Sequence, residues 1–240
     1  KLGFKTASFY EVSTQEDLTL AIDQVGTPSI LKTRRFGYDG KGQLKLESAS
    51  QAEDIWKDSS AKDLILEGFV NFSREFSVIG SRSKDGQISC FDPGENVHKE
   101  GILRTTTVPA NLTVQQKTEA VLITAKILES LNYVGVIGIE FFLEKNSLVI
   151  NEFAPRVHNS GHWTQNGCAV DQFEQHIRAI TGWQLGNAER HSDIIMENLI
   201  GDEIYKTKQL VADGSLALHL YGKADVKPGR KMGHFNRIKN

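Results

Sequence analysis

Residues 149–167, VINEFAPRVHNSGHWTQNG, combine the side chain types that enzymes most often use for chemistry. A strand-like apolar run ends at Asn151 and Glu152, and a long polar stretch containing Arg156 and His158 follows it. The spacing of the polar residues fits neither a helix nor a strand that buries one face in a core. We therefore expect a carboxylate and amide pair, an arginine and histidines to form a functional site.

A second glutamate, Glu140, lies in the preceding apolar run, and the intervening EKNS predicts a hairpin. If the turn is centred on Asn146, Glu140 and Glu152 are opposite each other, with Cβ atoms about 4.5 to 5.5 Å apart. A divalent cation would relieve their repulsion, and oxygen ligands combined with substrate phosphates favour Mg²⁺. The alternative is that one glutamate faces solvent, since a register change of one residue puts the two on opposite faces.

Three other segments contain candidate ligands. The glycine-rich FGYDGKGQ at 36–43 follows Lys32 and suits a phosphate, although it is neither a P-loop nor a dinucleotide motif. Glu67 and Glu75 end or begin strand-like runs and suit a nucleoside, whereas glutamates at such places are commonly just solvated. A second basic cluster suits another phosphate or simply increases solubility, and it contains Lys223, Lys227, Arg230 and Lys231.

Two other chemistries fit the polar segment poorly. His158 and His162 have i,i+4 spacing, but Pro155 and Gly161 oppose the helix that would align them as zinc ligands. Ser160 lies in NSGH rather than GxSxG, which disfavours a serine nucleophile.

Capping patterns and hydrophobic periodicity predict the elements that position these residues. Ser13 with Glu16 predicts a helix near 14–25, Ser50 with Glu53 a short helix, and Thr113 with Gln116 the longest helix, near 113–131. A further helix at 170–180 has an apolar stripe of Val170, Phe173, Ile177 and Ile180. Strands are predicted at 29–33, 44–46, 64–70, 74–81, 88–91, 134–143, 147–153, 216–222 and 230–235. Mostly antiparallel strands mixed with helices indicate the α+β class, with a division near residue 82.

The composition of the whole chain restricts its partners. A formal charge of −2 over 240 residues opposes bulk attraction to nucleic acid or membrane. The sequence shows no signal peptide and no apolar run long enough for a membrane span, and Cys90 and Cys168 lack CxxC spacing. We expect a cytoplasmic protein with small-molecule partners. Because the chain starts at Lys1 without an initiator Met, we expect it to be a piece of a longer polypeptide.

Six segments together resemble the ATP-grasp superfamily and, within it, the N5-carboxyaminoimidazole ribonucleotide synthetases, which are ATP-dependent carboxylases of purine biosynthesis. The segment APRVHNSGHWTQNG is specific for these carboxylases rather than for ATP-grasp proteins at large. The segments are LKTRRFGYDGKGQ at 31–43, LEGFVNFSREFSV at 66–78, ENVHKEGILRT at 95–105, YVGVIGIEFF at 133–142, NEFAPRVHNSGHWTQNG at 151–167 and KPGRKMGH at 227–234.

The resemblance implies an ATP-grasp fold of two α+β lobes that clasp ATP, followed by part of a small β-rich domain. The lobes would be residues 1–81 and 82–187, and residues 188–240 would begin the C-terminal domain. The N-terminal Rossmann-like domain of such enzymes is expected to be absent from this chain. The resemblance also implies a homodimer.

The implied reaction is carboxylation of 5-aminoimidazole ribonucleotide by bicarbonate through carboxyphosphate, driven by ATP and requiring Mg²⁺. Glu140 and Glu152 would bind the metal. The implied catalytic residues are Asp39, Lys41, Arg156 and His158. The implied ATP ligands are Lys32, Gly37, Tyr38, Asp39, Gly40, Lys41, Gly42, Gln43, Glu67, Gly68, Phe69, Val70, Glu75, His98, Asn151 and Glu152. The implied ribonucleotide ligands are Tyr38, Asp39, Lys41, Arg156, His158, Asn159, Ser160, Lys223 and Arg230.

Two other functions remain open on the sequence. Another ATP-grasp ligase would share the metal carboxylates but would not be expected to contain RVHNSGHWTQNG. A non-catalytic nucleotide-binding fragment would retain the fold without the reaction.

Overall fold

A computed structural model describes residues 2–35, 42–59, 63–212 and 214–239, which fold into two compact units. The smaller unit consists of Lys5–Phe72 and Glu100–Ile102, and the larger unit of Lys1–Phe4, Ser73–Lys99 and Leu103–Asn240. Both mix helices with antiparallel strands, which confirms the α+β class. Within the described ranges, none of the helices combines the length and apolar character that a membrane crossing requires.

The smaller unit is a four-stranded antiparallel sheet with two helices packed on one face. Its strands, in the order β1-β4-β2-β3, are β1 (Phe9–Val12), β2 (Ser29–Thr33), β3 (Gln43–Leu46) and β4 (Leu64–Gly68). Its helices are α1 (Gln15–Val25) and α2 (Ala52–Asp58). Alternating strand residues such as Leu64 and Leu66 are buried with Leu18 and Ala21 of α1.

The predicted capping residues of these two helices are wrong by one or two positions. The N-cap of α1 is Thr14, because the Asp17 carboxylate accepts hydrogen bonds from the N–H groups of both Ser13 and Thr14. Before α2, a 3₁₀ turn at Ala49–Gln51 begins with a capping box of Ser48 and Gln51 rather than at Ser50. In both cases, a nearby side chain satisfies more backbone N–H groups than the predicted cap would.

The larger unit is built on a nine-stranded sheet in the order β10-β9-β5-β7-β8-β11-β13-β12, with β6 paired to β5 outside this path. Its strands are β5 (Arg74–Arg82), β6 (Ile88–Cys90), β7 (Gly94–Lys99), β8 (Ile102–Val108), β9 (Gly135–Glu144), β10 (Ser147–Ala154), β11 (Ile194–Ile200), β12 (Leu216–Leu220) and β13 (Lys231–Ile238). Its α-helices are α3 (Val114–Ser130), α4 (Thr164–Gly167), α5 (Gln172–Thr181) and α6 (Thr207–Val211), with 3₁₀ turns at Asn159–Gly161 and Gly201–Lys206. The capping box predicted for α3, Thr113 with Gln116, is confirmed.

The two faces of the large sheet differ in character. Val78 and Ile139 belong to the face that packs against α3 in a hydrophobic core. Because strand side chains alternate, the opposite face of the same two strands carries Ser77, Gly138 and Glu140. The polar segment that follows β10 lies over this second face, where Gly138 is in contact with His158.

The helix predicted at 170–180 is confirmed as α5, but its apolar stripe is not the buried face of the helix. The helix begins at Gln172, and Phe173, Ile177 and Ile180 are 38, 50 and 39% exposed. The helix instead buries Gln172 and Gln175 completely. Both glutamines hydrogen-bond to backbone groups of neighbouring segments, so α5 faces the protein with polar side chains that are satisfied there.

The α3 core depends on one aromatic pair. Phe76 of β5 and Phe141 of β9 are cross-strand partners, both fully buried, with ring centroids 5.2 Å apart. We expect Phe141→Ala to lower the free energy of unfolding by about 3 to 5 kcal/mol in urea titrations, because it leaves a cavity. Phe153→Ala, which removes a ring that is 50% exposed, should have a much smaller effect. Equal losses would contradict this account of the core.

Candidate active site

Three neighbouring strands present polar side chains on one face of the large sheet. β5 provides Glu75 and Ser77, β7 provides Asn96 and His98, and β9 provides Glu140. Glu75 pairs with Asn96, and Ser77 pairs with Glu140. Cross-strand partners share a face, so these pairings gather the five side chains on the face opposite α3.

Glu140 and Glu152 are cross-strand partners, as the hairpin predicted, but the turn alone does not produce this pairing. The turn pairs Ser147 with Glu144, and that register continued along the hairpin would place Asn151 opposite Glu140. A bulge at Asn151 shifts the register by one residue and brings Glu152 into the opposing position.

The Glu140 side chain is only 16% exposed. Burial, and then the charge of Glu152, raise the pKa of Glu140 to about 7. The Asn151 amide donates a hydrogen bond to it over 3.5 Å. In the part of the chain that the structure describes, no group of three or more His, Cys, Asp and Glu side chains could hold a metal. Two carboxylates nevertheless fit Mg²⁺, which commonly takes one or two and completes its shell with phosphate and water oxygens.

His98 lies next to these carboxylates and hydrogen-bonds to Glu75 through Nδ1. Burial lowers the pKa of His98, but the hydrogen bond and charge of Glu75, followed by the charge of Glu140, raise it above the usual histidine value. The positive charge of His98 in turn counteracts part of the rise at Glu140. The predicted nucleotide residues Glu75 and His98 therefore form one charged group with the predicted metal ligand.

His158 is held against the sheet by two neighbours. A Cβ atom on Gly138 would lie 2.6 Å from the His158 Cβ, so glycine is needed for this approach. The Gln172 amide accepts from the His158 N–H at 2.9 Å and donates to its C=O at 2.8 Å. Nε2 of His158 lies 3.7 Å from the Glu140 carboxylate. Burial, and then the charge of Arg156, lower the pKa of His158 to about 3, so the ring is neutral at pH 7.

In the smaller unit, the predicted ligands Lys32 and Glu67 are brought together. Lys32 Nζ donates to the Glu67 carboxylate at 2.7 Å, and the two side chains are 15 and 20% exposed. The N–H groups of Gly68 and Phe69 donate to backbone carbonyls of the same unit at 2.8 and 3.1 Å. The Val70 carbonyl accepts from a backbone N–H two residues further on.

Gly42 and Gln43 are the last two residues of the glycine-rich loop. Gln43 begins β3 opposite Lys32, and the Gly42 carbonyl accepts from the Thr33 N–H at 3.0 Å. The remaining predicted loop residues lie outside the described residues, and they are Gly37, Tyr38, Asp39, Gly40 and Lys41.

Comparison with known families assigns both parts of the chain. Residues 1–173 match the family model of the ATP-grasp domain, and this match covers more than half of the chain. The chain belongs to the ATP-grasp family. Residues 195–240 match the phosphoribosylaminoimidazole carboxylase C-terminal domain. The predicted ATP-grasp fold is therefore confirmed.

Several similar proteins share one enzyme name. N5-carboxyaminoimidazole ribonucleotide synthase of Brucella melitensis is 52% identical, and the match covers 99% of this chain and 66% of that protein. A crystal structure of an N5-carboxyaminoimidazole ribonucleotide synthetase with ADP has a TM-score of 0.94 at 40% identity, covering 99% of this chain and 64% of the other. The Aspergillus clavatus synthase with ADP and 5-aminoimidazole ribonucleotide has a TM-score of 0.89 at 30% identity, with coverages of 99 and 64%. The chain spans about two thirds of the length of these relatives.

The remaining predicted residues of the polar ATP-grasp segment have different surroundings. Arg156 is exposed, and its Nη1 donates to the carbonyl of the next residue at 3.0 Å. Asn159 exchanges two amide hydrogen bonds of 2.8 and 2.7 Å with Asn198. Ser160 is fully buried and lies 2.8 Å from Nδ1 of His158. Of these three, only Arg156 presents an exposed side chain.

Lys223 and Arg230 both lie on the loop between β12 and β13. Lys223 Nζ donates to the Lys231 carbonyl at 2.7 Å, and Arg230 Nη1 donates to the Asp225 carbonyl at 2.9 Å. The Asp225 carboxylate, absent from the sequence prediction, is 4.0 Å from Arg230. The loop therefore contains both predicted phosphate ligands, Lys223 and Arg230, and the negatively charged Asp225.

Sequence reasoning missed two residues that act on His158. Lys231 was grouped only with the basic turn, yet its positive charge contributes to lowering the pKa of His158 and of His162. Its position in a basic cluster was the available signal. Gln172 gave no signal, because a glutamine in an amphipathic helix normally lies on the exposed face.

A stack of three imidazoles extends from the polar segment to the last strands of this ATP-grasp chain. The ring of His234 lies 4.7 Å from that of His162 and 4.6 Å from that of His219, centroid to centroid. His234 Nδ1 is 2.8 Å from the hydroxyl of Tyr221. Burial, and then the neighbouring histidines, lower the pKa of His162 to about 4 and of His234 to about 2. The stack is therefore neutral at pH 7.

The low pKa values in this stack should make the free energy of unfolding depend on pH. Unfolded histidines take up a proton near pH 6.5, whereas folded His162 and His234 do so only near 4 and 2. The unfolded state thus binds more protons below pH 6.5, and stability falls as pH falls from there. We expect a loss of about 1.4 kcal/mol per pH unit for each of the two.

His234→Asn should reduce the pH slope of the urea-unfolding free energy by about one histidine's share. His191→Asn, at an exposed position, should leave the slope unchanged. A wild-type slope between pH 6.5 and 4.5 that is no steeper than that of His234→Asn would contradict the buried neutral stack.

The two buried glutamines of α5 offer a matched pair of variants. The Gln172 amide hydrogen-bonds to both the N–H and the C=O of His158. The Gln175 amide does the same at Gly186, with distances of 2.8 Å to the N–H and 3.0 Å to the C=O. Each change to Ala leaves a buried N–H and C=O unsatisfied, so we expect each to lower the unfolding free energy by about 1 to 3 kcal/mol. Only Gln172→Ala should shift the NMR signals of the His158 ring. A shift of equal size in Gln175→Ala would refute the specific role of Gln172.

Proposed function

We propose that the protein carboxylates 5-aminoimidazole ribonucleotide, using ATP and bicarbonate and producing N5-carboxyaminoimidazole ribonucleotide, ADP and phosphate. The observation that supports it most is the position of the neutral His158 beside the Glu140 and Glu152 carboxylate pair. His158 lies on the segment that directly follows β10, the strand that contains Glu152. The names of the relatives, and the ADP and ribonucleotide in two of the solved structures, point to the same reaction.

On the nucleotide side, we assign Glu140 and Glu152 to Mg²⁺, with Asn151 as a neighbouring ligand of the phosphates. Bound there, Mg²⁺ would neutralise charge on the phosphate oxygens. Glu75 would accept hydrogen bonds from the ribose, with His98 beside it. In the smaller unit, the residues assigned to ATP are Lys32, Gly37 to Gln43 and Glu67 to Val70.

On the acceptor side, we assign Arg156 and His158 to the reacting centre. Lys223 and Arg230 would bind the 5'-phosphate of the ribonucleotide, for which two cations on one loop are suited. Tyr38, Asp39, Lys41 and Asn159 complete the proposed acceptor ligands, with Asp39 orienting the amine. The buried hydroxyl of Ser160 contacts His158 and is proposed to act through it.

The proposed chemistry proceeds in two transfers. A bicarbonate oxygen attacks the γ-phosphorus, ADP leaves and carboxyphosphate forms. The exocyclic amine of the ribonucleotide then attacks the carboxyl carbon, phosphate leaves and the nitrogen loses a proton. Phosphoryl transfer depends on positioning and charge neutralisation, which Lys32 and Arg156 would also supply. Carboxyphosphate hydrolyses readily, so the site must exclude water until the amine reacts.

The remaining parts of the proposal concern the protein as a whole. We propose a cytoplasmic homodimer that binds no nucleic acid and no membrane. We also keep the functional division into residues 1–81, 82–187 and 188–240 as a prediction.

Glu152→Gln tests the proposed metal site in the full-length protein. Loss of one charged oxygen ligand should lower the rate of ribonucleotide-stimulated phosphate release by about 100-fold and raise the Mg²⁺ concentration needed for half-maximal rate. Glu129→Gln, on the exposed side of α3, serves as the matched control and should behave as wild type.

Two results would refute the proposal. An unchanged rate and Mg²⁺ dependence in Glu152→Gln would remove the metal assignment. If wild-type protein hydrolyses ATP with bicarbonate but is not stimulated by 5-aminoimidazole ribonucleotide, the reaction belongs to another ATP-grasp ligase, and no hydrolysis at all indicates a nucleotide-binding protein without catalysis.

A further inference from the structure

A continuous chain of hydrogen bonds runs through the larger unit and ends at His158. Thr106 Oγ1 donates to Asn96 Oδ1 at 2.9 Å, and Asn96 Nδ2 donates to Ser77 Oγ at 3.2 Å. Ser77 Oγ donates to Ser160 Oγ at 2.6 Å, and Ser160 Oγ lies 2.8 Å from Nδ1 of His158. Three strands and the 3₁₀ turn at Asn159–Gly161 thus contribute side chains to one linear path.

All five members are shielded from solvent. The exposed fractions are 0% for Thr106 and Ser160, 2% for Ser77, 5% for Asn96 and 9% for His158. Water is therefore a poor alternative partner, and each hydroxyl must satisfy its single hydrogen within the chain.

This restriction gives the chain a direction. The Asn96 amide group has its NH₂ towards Ser77 and its carbonyl towards Thr106, so Ser77 accepts on that side and directs its own hydrogen to Ser160. Ser160 accepts that bond and is left to donate to Nδ1 of His158. Nδ1 then carries no hydrogen, and the neutral ring carries its hydrogen on Nε2.

On its other side, the His158 ring approaches the proposed metal site, with Nε2 3.7 Å from a carboxyl oxygen of Glu140.

We propose that Ser77, Asn96 and Thr106 are positioning residues that hold His158 in the Nε2–H tautomer, so that His158 serves as a neutral hydrogen-bond donor to the anionic carboxyl substrate rather than as a base. The catalytic part rests on the proposed function, because it needs bicarbonate or carboxyphosphate as the anion. The tautomer itself does not depend on the reaction. None of the three residues contacts the proposed reacting groups directly, and each acts through Ser160.

Asn96→Asp tests the direction of the chain. A carboxylate of the same shape accepts from both Thr106 and Ser77, which turns Ser77 and Ser160 around and makes Nδ1 of His158 the donor. We expect ¹⁵N NMR of histidine-labelled full-length protein, without substrates, to show Nε2–H in the wild type and Nδ1–H in Asn96→Asp. The kcat for carboxylation should fall about 100-fold, because the donor is lost, with little change in the KM for ATP.

Ser77→Ala provides a second test that introduces no buried charge. It interrupts the chain and leaves Ser160 free to donate or accept, so both tautomers should be populated and kcat should fall about 2- to 5-fold. Ser81→Ala is the matched control, since Ser81 is fully buried on the same strand and donates to the Ser89 carbonyl at 3.0 Å, outside the chain.

Several outcomes would overturn the inference: a wild-type Nδ1–H tautomer, an unchanged tautomer in Asn96→Asp, or identical spectra and kcat for Ser77→Ala and Ser81→Ala. If Asn96→Asp does not fold, the comparison of the two serine variants decides. Should the ribonucleotide reaction fail while NMR shows the expected tautomers, the proposed function is wrong and the positioning chain stands.

Discussion

The repulsion that other carboxylates exert on the buried Glu140 is the constraint around which the larger unit is arranged. Glu140 lies opposite the exposed Glu152 and near the half-buried Glu75, and little water reaches Glu140 itself to screen the charges. The positive charge of His98 and the hydrogen bond from Asn151 offset part of this repulsion, but the pKa of Glu140 remains raised. Such residual repulsion is typical of sites that are completed by a cation, and it explains why the surrounding side chains are held so firmly.

Helix α5 maintains this arrangement by acting as a partner for irregular backbone. The segment after β10 leaves the sheet, so its N–H and C=O groups have no neighbouring strand. Gln172 supplies an acceptor and a donor at His158, and Gln175 does the same at Gly186. Two side-chain amides therefore make the hydrogen bonds that a neighbouring strand would otherwise make. Because these glutamines occupy the buried face of α5, its apolar residues are partly exposed.

The sequence predicted most of the regular structure because the relevant signals are local. Alternating apolar residues located β2, β5 and β9, and a capping box located α3. The buried face of α5 was not predictable in this way, because it depends on backbone groups that lie 11 to 14 residues away and form no regular element.

The site was predictable to a similar degree. The types and order of Glu140, Glu152 and His158 led to the proposed chemistry, and the predicted hairpin does bring the two glutamates together. The contact between Ser77 and Ser160 spans 83 residues and follows no sequence pattern, so only the folded sheet reveals it. Exchanges such as that of Asn159 with Asn198 are hidden for the same reason.

Because of the bulge at Asn151, the residue opposite Glu140 cannot be found by counting from the turn of the hairpin. Counting outward from the turn assigns position 151, not 152, to the place opposite Glu140. Anyone who transplants this acidic pair onto a regular designed hairpin with the same turn must therefore either copy the extra residue or move the second glutamate one position towards the turn. Alignments of related hairpins need the same correction: a one-residue gap at this point preserves the pair, whereas a gapless match can align the wrong side chain with it.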